Sequence, residues 1–502
     1  MQKAKKTLCA LIALAAVIFL LPSCSRGNAE AGTATELRYG FTTEPSTLDP
    51  LNPANTADGR SILFNVFEGL VKPDTTGKFM SCIAESWTIE QGGLVYNFTL
   101  REGVLFHDGS TLDSADVKFS LETAAEAGFD GLERIEKITT PENRLRVELK
   151  SPDPEFLPYM TIGIVKAGNV DREKNVAGTG PFFIESYSAQ RNLVLKKFDR
   201  YWQSDKPHLE KVTIVFLADY DALILALRGG GIDGANITGS MAAQLDHEKF
   251  EILHSLSASV QLLALNNAAA PLDDIRVRRA INYAVDVPGI IDAAFFGMGR
   301  PSGSPIIPGL SAYYENSLDY PLDLELARSL LAEAGYNEQR KLKLEITVPS
   351  NYTMHVDTAQ VIVSQLAKAG IDASVKLVDW ASWLSGVYRD RQYQATIISL
   401  DSPNVSPRSF LSRYRSGNGT NFINFKDAAF DRVYDSSLAE TDDEKRTYIY
   451  REAQRIIAAN AASVYIQDIF YPKAFKINTF GGVLNYPLYV IDFASIYGIQ
   501  KN

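Results

Sequence analysis

Residues 341–378 carry the clearest hydrophobic pattern in the chain. Leu342, Leu344, Ile346 and Val348 alternate with Lys343, Glu345 and Thr347, the period of a strand with one covered face. Ala359, Ile362, Val363, Leu366 and Ala367 follow at helical spacing, and Gly370 stands where a helix-ending glycine belongs. Ile371, Ala373, Val375 and Leu377 then alternate again. The pattern predicts a strand, a helix and a second strand parallel to the first, joined right-handedly. Upstream, Leu326, Leu330, Leu331 and Ala334 form a stripe that stops at Gly335; downstream, Glu444–Asn460 reads as a long helix before the strand-like Val464-Tyr-Ile. An α/β domain over about 272–478 is expected.

The earlier half is richer in strands. Leu37–Phe41, Val95–Leu100, Leu145–Leu149, Val194–Lys197 and Val212–Leu217 all read as extended, with helices near Ser61–Phe67, Ser114–Ala127 and Tyr220–Leu227. Proline and glycine cluster at 151–158 and 178–181 and mark loops or a subdomain edge. Tyr96–Phe106 predicts a strand pair around Arg101-Glu102-Gly103, with Asp108-Gly109 as a hairpin-type turn.

Composition narrows the class. The 502 residues are 46% hydrophobic and 22% charged, a folded chain long enough for several domains. The net charge of −10 opposes binding to phosphate backbones, so no nucleic-acid partner is expected. Lys3, Lys5 and Lys6 precede an apolar run, Leu8–Leu21, too short for the ~20 residues of a spanning helix but suited to a signal peptide. Leu21-Pro22-Ser23-Cys24 resembles a bacterial lipobox, which predicts cleavage after residue 23, lipidation of Cys24 and a small, polar tether over 24–36. The expected location is outside the cytoplasm, in the periplasm or on the cell surface, anchored to a membrane through Cys24. Cleavage also removes Cys9 and leaves Cys82 as the sole free thiol, without a partner for an internal disulfide.

No catalytic set emerges. The histidines at 107, 208, 247, 254 and 355 lack metal-ligand spacing, and neither a G-x-S-x-G elbow nor a phosphate loop of the G-x-x-x-x-G-K-[ST] type occurs. Gly229, Gly231 and Gly234 spell G-x-G-x-x-G, but the apolar helical run 222–227 precedes them, the reverse of the strand-then-helix context of a dinucleotide site. The glycines are expected to end that helix. Arg276, Arg278 and Arg279 are expected on the solvated side of a helix capped by Asp273 or Asp274. No enzyme activity, metal or cofactor is predicted.

A series of segments in fixed order then resembles one family. It comprises Thr43-Glu-Pro-Ser-Thr-Leu-Asp-Pro50, Val66-Phe-Glu-Gly-Leu70, Ala84-Glu-Ser-Trp87, Tyr96–Gly109 with Asp116–Ser120, Gly178-Thr-Gly-Pro-Phe182, Tyr201-Trp202, Gly231-Ile-Asp-Gly234, Pro271–Asp286 and Ala327–Gly335. The chain resembles the family 5 extracellular solute-binding proteins, the capture subunits of ABC importers for oligopeptides, dipeptides and nickel. The resemblance implies an α/β, two-lobe periplasmic-binding-protein-like fold of the Venus-flytrap, class II type. Lobe I takes 37–80, 182–270 and 479–502, an inserted β-rich subdomain takes 81–181, and lobe II takes 271–478. Crossings at Asn266–Ala270 and Lys476–Gly482 form the hinge. The implied partners are a peptide or other small solute and a membrane permease, with the protein itself a monomer.

In peptide-binding relatives the ligand pairs by its main chain with strand-like segments, which here correspond to Thr43-Glu44-Pro45 and Ser399-Leu400-Asp401. Asn236 matches a position whose side chain contributes to ligand contacts in some members. Asp401 is the carboxylate expected to pair with a ligand amine, although it stands six residues before Pro407 and Leu400 replaces the family's Trp. Arg408, Arg413 and Arg415 follow closely and are candidates for a ligand carboxylate, with solvated helix charges as the other reading. A non-peptide cargo (a nickel chelate, an oligosaccharide or an amino-acid conjugate) is the alternative.

Overall fold

A computed structural model describes residues 34–255, 259–318, 320–402, 405–484, 486 and 490–500. The predicted signal peptide, Cys24, most of the predicted tether and Pro403 lie outside them. Three main sheets organise the chain. Seven strands run in the order Phe250–Ser255, Tyr471–Lys476, Gly234–Asn236, Glu36–Phe41, Lys211–Phe216, Asn192–Lys197, Phe182–Ser188. Six more run in the order Gly299–Pro301, Ser463–Ile469, Ser259–Leu265, Ala395–Asp401, Lys343–Pro349, Asp372–Val378. Ala84–Glu90, Val95–Leu100, Arg144–Leu149 and Ile135–Thr139 form a separate four-stranded sheet.

The predicted strand–helix–strand unit is present. Lys343–Pro349 pairs in parallel with Asp372–Val378, joined by the helix Thr353–Lys368, and Gly370 takes φ +87° beyond its end. A side chain at that angle would be strained, so glycine is the residue the turn needs. Gly230 likewise caps the helix Tyr220–Gly229 in the left-handed region and leads into the strand Gly234–Asn236. The glycine triplet is thus a helix end followed by a strand.

The passage between the two large sheets differs from the sequence expectation. Ser259–Leu265 belongs to the six-stranded sheet and Tyr471–Lys476 to the seven-stranded one. The chain therefore crosses between residues 255 and 259 and again at Phe470, not at Asn266–Ala270 and Lys476–Gly482. Burial explains the misplacement. Every residue of Ser259–Leu265 is buried, because Leu262 and Ala264 enter the core on one face while Leu263 and Leu265 enter the core on the other. A strand covered on both faces shows no alternation.

Two local expectations also change. Val95–Leu100 pairs with Ala84–Glu90 and Arg144–Leu149, not with a strand after Gly103; the turn at Asp108-Gly109 is formed, with the Gly109 N–H on the Phe106 carbonyl at 2.9 Å. Asp274 caps the helix Ile275–Ala284, but Arg278 is buried. Its guanidinium donates to the carbonyls of Leu272 and Asn460, and Arg279 donates to that of Ala459. These cations cover the carboxyl end of the helix Asp443–Ala459, where free carbonyls and the helix dipole favour positive charge.

Several of the family-like segments meet at one buried carboxylate. Glu68 accepts from Tyr201 Oη at 2.6 Å, Trp202 Nε1 at 2.9 Å, Thr179 Oγ1 at 3.3 Å and Cys82 Sγ at 3.3 Å. Burial pushes the carboxyl above its ordinary range, against the pull of those donors. A Cβ at Gly178 or Gly180 would collide with the Val66 carbonyl, so these glycines permit the close backbone approach. Arg38 similarly grips Asp233 through two side-chain bonds of 2.7 and 3.0 Å. Scaffold junctions, not ligand contacts, occupy these motifs.

Candidate functional site

An interlobe cavity of about 500 Å3, within the usual size range of small-molecule sites, opens beside the crossing at Phe470. From the seven-stranded side it is lined by Phe41, Asp58, Asn236 and Lys473; from the six-stranded side Phe295, Met354 and Ile469 contribute. Asn236 and Lys473 are adjacent because their strands pair antiparallel in that register. Tyr39 Oη donates to Asn236 Oδ1 at 2.8 Å, which fixes the amide and leaves its N–H groups for the cavity. Burial, then the charge of Asp58, raises the Tyr39 phenol well above its ordinary value, so it remains a donor. Burial also raises the Asp58 carboxyl, opposed by a hydrogen bond from Thr43. The Lys473 ammonium is brought down to about 8 by burial.

Of the residues expected from sequence, Asn236 alone lines this cavity. Thr43 is exposed and acts through Asp58, while Pro45 is buried. The Glu44 carboxylate is engaged by Tyr187 Oη and the Gln190 N–H, each at 2.9 Å. Ser399, Leu400 and Asp401 end a strand that pairs with Gln261, Val260 and Ser259. On the other edge the neighbouring strand pairs only at Ala395 and Thr396, so 399–401 presents a main-chain edge there. Leu400 is in the core, Ser399 Oγ is buried with no partner among the described residues, and the Asp401 side chain is exposed. Arg413 donates to the Asp401 carbonyl at 3.2 Å and so braces the strand end.

Arg408 is placed elsewhere altogether. Its guanidinium lies 2.6 Å from Asp153 Oδ1 and 3.2 Å from Glu155 Oε2, carboxylates that follow the four-stranded sheet. Glu155 also accepts from Ser406 Oγ and, at 2.8 Å, from Tyr450 Oη; Asp153 holds Arg134 at 2.6 Å. Burial disfavours the Arg408 charge, but Glu155 and Asp153 more than offset it. An arginine expected to meet a ligand carboxylate is instead paired with protein carboxylates in an interlobe contact. Sequence reading missed Lys473 and Asp58. The available signal is a lysine inside the apolar run Tyr471–Phe475, which forms the strand Tyr471–Lys476.

Residues 78–422 match the family described as bacterial extracellular solute-binding proteins, family 5 Middle. The chain belongs to this family. It is 26% identical to Heme-binding protein A of Haemophilus influenzae over 89% of the chain and 91% of that protein. It is 28% identical to Glutathione-binding protein GsiB of Escherichia coli O1:K1 / APEC, over 74% of the chain and 73% of that protein. The fold is shared with the periplasmic murein tripeptide binding protein MppA in its unliganded open form, at TM-score 0.84 and 21% identity, covering 93% of the chain and 98% of MppA. This family 5 protein is therefore an extracellular solute-binding protein with the two-lobe fold. Among its described residues no helix is long and apolar enough to cross a membrane.

Proposed function

We propose that this family 5 protein is the capture subunit of an ABC importer and that its cargo is a short peptide. The observation that carries the reading is a cavity lined from both sheets and by Phe470 at one crossing, so that solute is enclosed by movement of one lobe against the other. A solute stabilises the closed form only through its higher affinity for that form. The main-chain edge at 399–401, which the neighbouring strand leaves unpaired beyond Thr396, supports peptide cargo, since backbone pairing grips a chain without reading its side chains. Calorimetry with defined di- to pentapeptides should give saturable binding, accompanied by a smaller radius of gyration in X-ray scattering. Silence across the set overturns the peptide reading.

A second reading keeps the importer role with a non-peptide cargo such as a nickel chelate, an oligosaccharide or an amino-acid conjugate. It is favoured by the position of Asp401, which lies outside the cavity, and by Leu400 in the core. Mass spectrometry of protein purified without refolding distinguishes the two by the retained molecule.

The lipid anchor at Cys24 is part of the same proposal. Metabolic labelling with a radioactive fatty acid should mark the parent and move it to the membrane fraction. Cys24→Ser should be unlabelled and recovered in the soluble fraction.

A further inference from the structure

Lys473 is only 4% exposed, yet it lines the interlobe cavity. Its Nζ donates to the Val490 carbonyl at 3.3 Å, and among the described residues no carboxylate comes within 4.0 Å of it. That is an uncommon state for an ammonium group. Burial strips its water, and proteins ordinarily return a carboxylate to compensate. A single carbonyl leaves two of its three N–H donors unused. Across the strand pair stands Asn236, whose Oδ1 is held by Tyr39 and whose amide nitrogen has no protein acceptor among the described residues. Lys473 and Asn236 therefore turn adjacent, unsatisfied donors on one wall of the cavity. Asp58 lines the same cavity, and among the described residues no cation lies within 4.0 Å of its carboxylate. Among the described residues a cation and an anion thus share one cavity, neither with an ionic partner.

We propose that Lys473 Nζ and Asn236 Nδ2 anchor the carboxylate of the cargo while Asp58 receives a cationic group, so that the cavity selects small zwitterions. The proposal rests on the importer reading and adds the chemical class of cargo and the residues that recognise it. Its geometry differs from the pairing expected at Asp401, because the acidic partner is on the seven-stranded side. The rest of the wall, including Phe41, Phe295 and Met354, is apolar and supplies a low-dielectric setting in which such pairs strengthen.

The test uses the purified mature chain and an equimolar set of tripeptides with free carboxyl termini, mixed with the same peptides as C-terminal amides. Native mass spectrometry reads which are retained, and calorimetry reads the affinities of the retained members. The free acids should bind at least about 30-fold more tightly than the amides. Lys473→Met should abolish that preference and unfold at an equal or higher temperature than the parent without peptide, since it removes an unpaired buried charge. Asn236→Ala should reduce the preference by a smaller factor. The acid-versus-amide comparison on the parent needs no variant to fold. Equal binding of acids and amides, an unchanged preference in Lys473→Met, or a lower melting temperature in that variant overturns the anchor and leaves the peptide reading intact. Retention of neither series overturns the peptide reading and the anchor with it.

Discussion

Arg408→Met should destabilise the protein by about 3–5 kcal/mol, the cost of removing one member of a buried ion cluster. The loss comes mainly from what remains. Asp153 and Glu155 are nearly inaccessible to water, and the guanidinium supplies each with a short contact, at 2.6 and 3.2 Å. Without it Asp153 retains Arg134, whereas Glu155 retains the hydroxyl donors of Ser406 and Tyr450 and only the more distant charge of Arg446. Those neutral donors stabilise a carboxylate far less than a paired cation does. A urea titration of parent and variant reads the difference as a lower midpoint. Arg408→Met combined with Glu155→Gln should recover part of the loss, giving a coupling energy above about 1 kcal/mol in the double-mutant cycle. Strict additivity of the two changes would show that the cluster is not a unit. Because Arg408 follows the six-stranded sheet while Asp153 and Glu155 follow the four-stranded one, the same variant tests whether this contact orients the lobes. Its scattering profile should be broader than the parent's before unfolding begins.

The legibility of this chain followed burial geometry. Lys343–Val378 is readable because Lys343 and Glu345 meet solvent beside the buried Leu342, Leu344 and Ile346, and Asp372, Ser374 and Lys376 meet it beside the half-buried Ala373 and Val375, so apolar and polar residues alternate. Ser259–Leu265 is not, because cores cover both faces and the run reads as uninterrupted apolar sequence. That strand and Tyr471–Lys476 flank the crossings, so both crossings were misplaced together. Asn236 was legible through its place after Gly231-Ile-Asp-Gly, a segment held by Arg38 and Asp233. Arg408 shows the opposite limit. Three arginines near a suspected ligand loop look alike in sequence, and only tertiary packing separates Arg408, buried against two carboxylates, from Arg415, which pairs with Asp431 and Asp435 nearer the surface. Lys473 and Asp58 escaped because each belongs to an unremarkable local sequence and gains meaning only when the lobes enclose a common space.

Acidification from pH 6.5 to 4 should cost on the order of 3 kcal/mol of stability for each of two buried histidines. Burial lowers His107 to about 4, against raising contributions from the Gly180 carbonyl and Asp108. The Gly178 N–H donates to His107 Nδ1 at 3.2 Å, so Nε2 carries the proton it gives to the Gly180 carbonyl at 2.9 Å. A second proton on the ring would set two donors against each other at Nδ1. His355 is lowered to about 4 by burial alone, and its Nδ1 lies 3.0 Å from Gln261 Nε2 in a fully buried amide pair with Gln467. The sign follows from the free chain, whose histidines titrate near 6.5. Between 6.5 and 4 the unfolded state binds protons that the native state refuses, so stability falls as pH falls through that window. Below 4 both states are protonated and the histidine contribution is constant. Glu68 and Asp58 act in the other direction, since burial raises both carboxyls. A comparison with His355→Gln isolates the imidazole: near pH 5 the slope of unfolding free energy should drop by about 1.4 kcal/mol per pH unit, one proton's worth. An identical slope in the variant would mean that His355 titrates normally inside the fold, and the buried amide pair beside it would then be open to water.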